Sequence, residues 1–407
     1  MAAEIDTTAL IDRISRLAAV GAIPGGGCAR LALTDEDKAG RDLVGRWMRD
    51  LGLDVSVDAV GNVFAVRKGA EDAAPVMVGS HIDTVRTGGR YDGNLGVLAG
   101  LELCAALDRA GTRTRRPLAV AYFTNEEGAR FQPDMLGSLV AVGGLDLDAA
   151  YAARSIDGRT LGEELVRIGY RGPHAPGHLK PHAFVELHIE QGPILEAEGV
   201  TIGAVTGVQG ISWNEYALSG VSNHAGTTPM RLRRDAGYAA MAIASGIRDI
   251  AKGIGGDQVG TVGRIELVPN LINVVASRAT FTVDLRNTDE TVLREAEAQA
   301  AALIERVCTA ENVGVERRTL ARFEPVEFDA RVVASVERHA RTRGFTCRRM
   351  PSGAGHDAQM YARICPTGMI FVPSARGLSH NVAEYTAPED IDAGAKVLRD
   401  VVLELAA

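Results

Sequence analysis

The chain has 407 residues, 46% of them hydrophobic and 24% charged, with a formal net charge of −8. That length favours two domains over one, the composition is ordinary for a globular protein, and the acidic balance argues against nucleic acid or an anionic membrane surface as partner. The N-terminal segment lacks the basic stretch of a secretory leader, no apolar run approaches bilayer-spanning length, and the five cysteines, odd in number and never in a C-x-x-C pair, fit reduced thiols in a cytoplasm rather than a disulfide frame or a thiolate zinc site.

Thr7–Val20 carries apolar residues at helical spacing. Thr34-Asp35-Glu36-Asp37 reads as a helix start with acids in the first turn, the helix running to about Leu51. Leu53–Val66 holds two short strands around a turn near Gly61-Asn62. Three apolar runs then end in polar groups: Pro75–Ser80 in His81, Leu118–Thr124 in Asn125-Glu126-Glu127, and Ala183–Leu187 in His188. Leu95–Leu107, between the first two, is a helix pattern. This is the α/β grammar of a mostly parallel sheet, in which ligands bind beyond the carboxyl ends of the strands.

From about Gly210 the pattern changes. Ser212–Ser219 and Gly263–Val268 read as strands, Val274–Arg286 as a longer alternating one, and Arg234–Ala251 and Thr288–Cys308 as helices. They suggest a separate α+β domain with an antiparallel sheet. After about Pro325 the α/β pattern resumes, with a helix over Ala330–Thr342, a strand over Thr367–Val372 and a closing helix over Pro388–Leu405. The expected layout is an α/β catalytic domain over 1–209 and 327–407, interrupted by an inserted α+β domain over 210–326.

Five short polar groups stand out: His81-Ile82-Asp83, Tyr91-Asp92-Gly93, Asn125-Glu126-Glu127-Gly128, His188-Ile189-Glu190-Gln191 and Ser379-His380-Asn381. Imidazoles and carboxylates delivered to strand ends make the ligand set of a two-metal hydrolytic site. Asp83, two residues beyond His81, leaves a strand on the same side and suits the role of orienting that ring. Asp92 lies in a Gly-rich turn where a carboxylate can bridge two cations, although Asp-Gly taken alone is simple turn chemistry. Glu126 and Glu127 point opposite ways on an extended segment, so one can bind metal while the other faces substrate as a general base. The bland alternative is a solvated acidic pair at a helix start. His174, His178 and His182, in a Pro/Gly/His-rich loop, and His339, on a charged helix, read as surface residues.

The segments GSHIDTVRTGGRYDGNLGVLAG, TNEEGARF, HIEQGPILE, SNHAGTTPMRLRRDA, PNLINVV, SGAGHDA and GLSHNVAEYT together resemble the hydantoinase/carbamoylase family of metal-dependent amidohydrolases. That family includes N-carbamoyl-L-amino acid hydrolases, β-ureidopropionases and allantoate amidohydrolases. It is related to the aminoacylase and carboxypeptidase group of zinc peptidases. The match runs in order from about residue 75 to the end, and it specifies family more sharply than substrate.

The resemblance implies a di-metal hydrolase domain carrying an inserted lid and dimerisation domain. It implies two divalent ions per subunit, zinc first, with manganese, cobalt or nickel as alternatives. His81, Asp92, Glu127, His188 and His380 would be the ligands, with Asp92 bridging; Glu126 would be the general base and Asp83 the orienter of His81. His224 would polarise the substrate carbonyl, reaching the active site of a partner subunit. Gln191, Asn273, Arg286, Gly355 and His356 would line the substrate. Arg286 suits a carboxylate held by two parallel hydrogen bonds, and Gly355 suits close backbone approach. The implied reaction is hydrolysis of an N-carbamoyl-L-amino acid to amino acid, CO2 and NH3 by a cytoplasmic homodimer. Allantoate or N-carbamoyl-β-alanine are alternative substrates, and a dipeptidase or aminoacylase activity is a more distant one.

Overall fold

A computed structural model describes residues 3–407. The chain forms two compact units, one made of the segment up to Gly207 and of Glu327–Ala407, the other of Val208–Val326.

The first unit is built on a nine-stranded sheet. Its spatial order is Asp54–Val57, Val63–Arg67, Leu118–Phe123, Val76–His81, Ala183–Ile189, Thr367–Val372, Ile202–Val208 and the short Val326–Glu327, with Cys347–Ser352 also paired to Ile202–Val208. The four central strands, from Leu118–Phe123 to Thr367–Val372, are parallel neighbours. The strands flanking them pair antiparallel. Every residue of those four strands is buried, as continuous apolar runs require when a sheet is covered on both faces. Helix Asn94–Arg109 packs on the strands Val76–His81 and Ala183–Ile189, and helix Pro388–Leu405 on Ala183–Ile189 and Thr367–Val372. Gly394 lets the second helix approach closely, since a Cβ there would lie 2.5 Å from Val372 Cγ1 and 2.8 Å from Leu187 Cδ1.

The second unit has a five-stranded antiparallel sheet in the order Ile265–Val268, Arg278–Asn287, Gly210–Ser219, Gly314–Phe323, with Val259–Thr261 also on Arg278–Asn287. Burial alternates along Arg278–Asn287, the period-two signature of a sheet covered on one face. The inward residues Tyr216, Leu218, Phe281 and Leu285 share a core with Ile243 and Ile247 of helix Ala236–Ile254 and Leu293 and Leu303 of helix Glu290–Ala310.

Two readings change. Val274–Arg286 is not one strand: Val274–Val275 pairs with Asn223–His224, and only Arg278–Asn287 joins the main sheet. The break falls where Ser277 turns its amide to Val268 O at 2.9 Å and accepts from the Gly220 amide at 2.7 Å. The sequence pattern also passed over Gly314–Phe323 and the helices Leu136–Ala141, Leu147–Ala152 and Leu161–Ile168. His339, expected at the surface, makes an exposed contact there, its Nε2 2.7 Å from Glu404 Oε2. Among the described residues no helix is long and apolar enough to cross a membrane.

Candidate functional site

The parallel strands of the first unit all end at one place. His81 is the last residue of Val76–His81 and His188 the penultimate residue of Ala183–Ile189. Asn125-Glu126-Glu127 follow Leu118–Phe123, His380 lies in the loop after Thr367–Val372, and Asp92 sits in the turn entering helix Asn94–Arg109. Asn125 makes the turn in its segment. It adopts φ 57°, a region Asn tolerates, and its side-chain amide donates to Phe131 O at 3.0 Å and Pro133 O at 3.1 Å. The turn brings the Glu126 and Glu127 amides to the two Asp83 carboxylate oxygens, at 3.3 and 3.4 Å.

Asp83 therefore orients two things. Its carboxylate holds the Glu126-Glu127 backbone, while its main-chain carbonyl, rather than the carboxylate expected from sequence, meets His81 Nδ1 at 2.9 Å. His188 Nδ1 likewise faces Ile189 O at 2.8 Å. Both rings thus spend Nδ1–H on backbone carbonyls and present Nε2 to the site, the arrangement that prepares an imidazole to bind a cation.

Asp92 is the centre of what they face. Its Oδ1 lies 3.2 Å from His188 Nε2 and 3.6 Å from His81 Nε2. Its Oδ2 lies 3.5 Å from His380 Nε2, which is itself 3.2 Å from Glu127 Oε2. Two three-residue groups able to hold a metal ion result, His81–Asp92–His188 and Asp92–Glu127–His380, sharing one carboxylate. A third, Glu186–His188–His356, lies behind the first. The first group is deeply buried; the second opens to solvent through His380, whose side chain is 50% exposed. Glu126 belongs to none of these groups, yet its Oε2 is 3.4 Å from His81 Nε2.

The electrostatics suit cations. Burial works against charge on Asp92, but the imidazoles of His188 and His81 outweigh it and hold the carboxyl well below the usual range. Burial would lower His81, yet the Glu126 charge and the Asp92 contact raise it well above an ordinary imidazole. His380 is pushed up to about 9, mainly by its hydrogen bond to Glu127. The carboxylates thus hold these imidazoles toward positive charge, which divalent ions would supply. Glu126 is raised well above the usual range, chiefly by burial, with His81 opposing and Asp357 and Glu127 reinforcing.

The structure distributes the other candidates unevenly. Gln191, at φ 58°, donates from Nε2 to Asp92 Oδ2 at 3.0 Å and to Ser379 Oγ at 3.2 Å, and its Oε1 is buried without a hydrogen-bond partner. His356 is buried beneath His188, ring centroids 4.6 Å apart, and burial holds it neutral. Its Nε2 lies 2.9 Å from Ser352 Oγ. The space a side chain at Gly355 would take is occupied by Met135, 2.8 Å from a Cβ there. The sequence gives Ser379 no role of its own beside His380 and does not mark Ser374; Ser379 Oγ donates to Asp92 Oδ2 at 3.0 Å and Ser374 Oγ accepts from the Gln191 amide at 3.0 Å. Nothing in the pattern of apolar and polar residues marks which loop hydroxyl folds back.

His224, Asn273 and Arg286 belong to the second unit. His224 is exposed, and its Nδ1 accepts from the amides of Gly226 at 3.1 Å and Thr227 at 3.3 Å. A neutral ring held this way carries its proton on Nε2, free to donate outward. Asn273 O accepts from the Ala225 amide at 2.9 Å, which ties the two loops together. Arg286 is paired with Asp284, Nη2 to Oδ2 at 2.9 Å, and lies 5.4 Å over the Trp213 ring.

The profile of the family described as Peptidase family M20/M25/M40 matches residues 77–404. An N-carbamoyl-L-amino-acid amidohydrolase of Rhizobium meliloti is 42% identical over 99% of this chain and 97% of its own length. The allantoate amidohydrolase of Escherichia coli K12 is 37% identical over 98% of each. A solved hydantoinase/carbamoylase family amidase from Burkholderia multivorans superposes with a TM-score of 0.95 at 44% identity, covering 99% of this chain and 98% of that one.

Proposed function

The chain belongs to peptidase family M20/M25/M40, in its hydantoinase/carbamoylase branch, and on that premise we propose that it hydrolyses the ureido C–N bond of N-carbamoyl-L-amino acids. The observation that carries the reading is the division of the Asp92 carboxylate, one oxygen toward His81 and His188 and the other toward His380, with Glu126 beside them and outside both groups.

The donor set fits two divalent cations: nitrogen from imidazoles with Nδ1 fixed, oxygen from carboxylates, and a glycine at 93 where a side chain would strike His81. One cation would be held by His81, Asp92 and His188, the other by Asp92, Glu127 and His380. Zinc comes first for this mixture, with manganese, cobalt and nickel as alternatives. Bound there, the ions supply an acidified water and polarisation of the carbonyl.

The chain's own residues do the rest. Glu126, raised by burial, takes the proton of the attacking water. Arg286 and Asn273 are assigned the substrate carboxylate, and Gln191 and the Gly355 backbone further contacts with the substrate. His224, brought in from a partner subunit, donates Nε2–H to the oxyanion of the tetrahedral intermediate. Glu126 then returns its proton to the amino-acid nitrogen as the C–N bond breaks. The carbamate released decomposes to CO2 and NH3. A homodimer formed through the second unit follows from the His224 role, and the unpaired cysteines support a cytoplasmic setting.

The test is a substrate panel on metal-stripped protein reconstituted with zinc, manganese, cobalt or nickel. N-Carbamoyl-L-amino acids should turn over fastest. Preference for allantoate or N-carbamoyl-β-alanine would keep the chemistry and change the substrate, the allantoate reading being favoured by the Escherichia coli relative. Preference for N-acetyl or peptidyl amino acids would overturn the proposal.

A further inference from the structure

Glu384 lies on the His380 loop, and the pattern of the sequence gives it no role. Its own amide is bound to Asn381 O at 3.0 Å, so the segment turns back and aims the side chain at the glycine-rich loop before Asp92. There its Oε1 accepts from two successive amides, Tyr91 at 2.9 Å and Asp92 at 3.2 Å. The residue is only 5% exposed. A carboxylate has been placed against the backbone of another carboxylate residue, in a site already rich in negative charge. Simple packing does not ask for that.

The seat is built for it. A Cβ at Gly89 would lie 2.1 Å from Glu384 Oε1 and 2.4 Å from Glu384 Cβ, distances no side chain tolerates. The same two loops are joined twice more: Thr87 Oγ1 donates to His380 O at 3.2 Å, and the rings of Tyr91 and Tyr385 meet edge to face with centroids 6.3 Å apart. Glu384 is the central link and the one that grips Asp92 itself. Its Oε2, although buried, has no hydrogen-bond partner, so the interaction that fixes it runs through Oε1.

From this geometry we infer that Glu384 is a positioning residue: by locking the Asp92 backbone to the His380 loop, it sets the approach of Asp92 Oδ2 to His380 and so completes the solvent-facing cation group. The inference rests on the two-cation reading. It assigns Glu384 no contact with substrate or with the reacting atoms. The chain's requirement at 384 is then an acceptor oxygen of the right reach rather than a charge. Glutamine satisfies that requirement; alanine and aspartate do not.

The experiment counts metal per chain by elemental analysis after dialysis, together with kcat, KM and Tm, for wild type, E384A, E384Q and G89A. Wild type and E384Q should hold two equivalents with similar kcat. E384A and G89A should hold one, with kcat down roughly 10- to 100-fold, as for loss of a residue that orients a metal ligand, and KM little changed. Two equivalents and unchanged kcat in E384A, with only Tm lowered, would overturn the inference. Loss of metal in E384Q equal to that in E384A would overturn it too, because charge rather than reach would then be at work. Should E384A fail to fold, E384D carries the comparison: its carboxylate is one methylene short of the two amides, and full occupancy with full kcat would again overturn it. Fewer than two equivalents in wild type would instead strike the two-cation reading, and this inference with it.

Discussion

Gly93 stands directly against His81: a Cβ at position 93 would lie 2.4 Å from His81 Nε2. Its φ of 66° also falls where side chains are rarely accommodated. Position 93 is therefore constrained twice, by backbone shape and by the imidazole it faces. G93A should weaken metal binding and activity roughly 10- to 100-fold while far-ultraviolet circular dichroism stays unchanged. Wild-type occupancy and turnover would show that His81 Nε2 does not need that space.

Glu126 is placed beside the two cation groups and within neither. E126Q removes the base and leaves every ligand. Its kcat should drop roughly 100- to 10,000-fold, with metal content as in wild type. Loss of metal from E126Q would move this residue from base to ligand.

Arg286 is assigned the substrate carboxylate. Its guanidinium already grips Asp284 from Nε and Nη2, a fork that lysine cannot reproduce. R286K should raise KM for carboxylate substrates about 10- to 100-fold, the worth of one hydrogen bond to a charged group, with a smaller effect on kcat. An unchanged KM would remove Arg286 from the substrate site.

The second unit exposes Met230 at 76%, Tyr238 at 54%, Met241 at 53% and Ile272 at 104%. Apolar exposure on this scale is usual at surfaces that meet another chain. Tyr238 and Met241 share a face of helix Ala236–Ile254, being three residues apart. The double variant Y238E/M241E should convert a dimer to a monomer in light scattering and lose activity through His224. A wild-type monomer with full activity would contradict the shared site.

The parts of this structure visible in the sequence are those where local pattern and burial agree. The runs ending in His81, Asn125 and His188 are apolar at nearly every position because both faces of the central strands are covered, so their polar ends stand out. Gly314–Phe323 was missed for the opposite reason: it is an edge strand, exposed from Val315 to Leu320, and shows no apolar face. Leu136–Ala141 is buried on all sides and so lacks an amphipathic period. At the site, residue types were legible from the motifs, but contacts between loops distant in sequence were not. Ser379 reaching Asp92 and Glu384 reaching the Tyr91 and Asp92 amides depend on how loops close in space, which no spacing rule encodes.

Anomalous diffraction from crystals of the reconstituted protein, recorded at the absorption edge of the bound metal, would locate the cations that Asp92 is proposed to share. Two peaks are expected about 3.5–4 Å apart on either side of the Asp92 carboxylate, one beside His81 and His188, the other beside Glu127 and His380, with Glu126 bound to neither. A single peak, or peaks away from Asp92, would contradict that sharing.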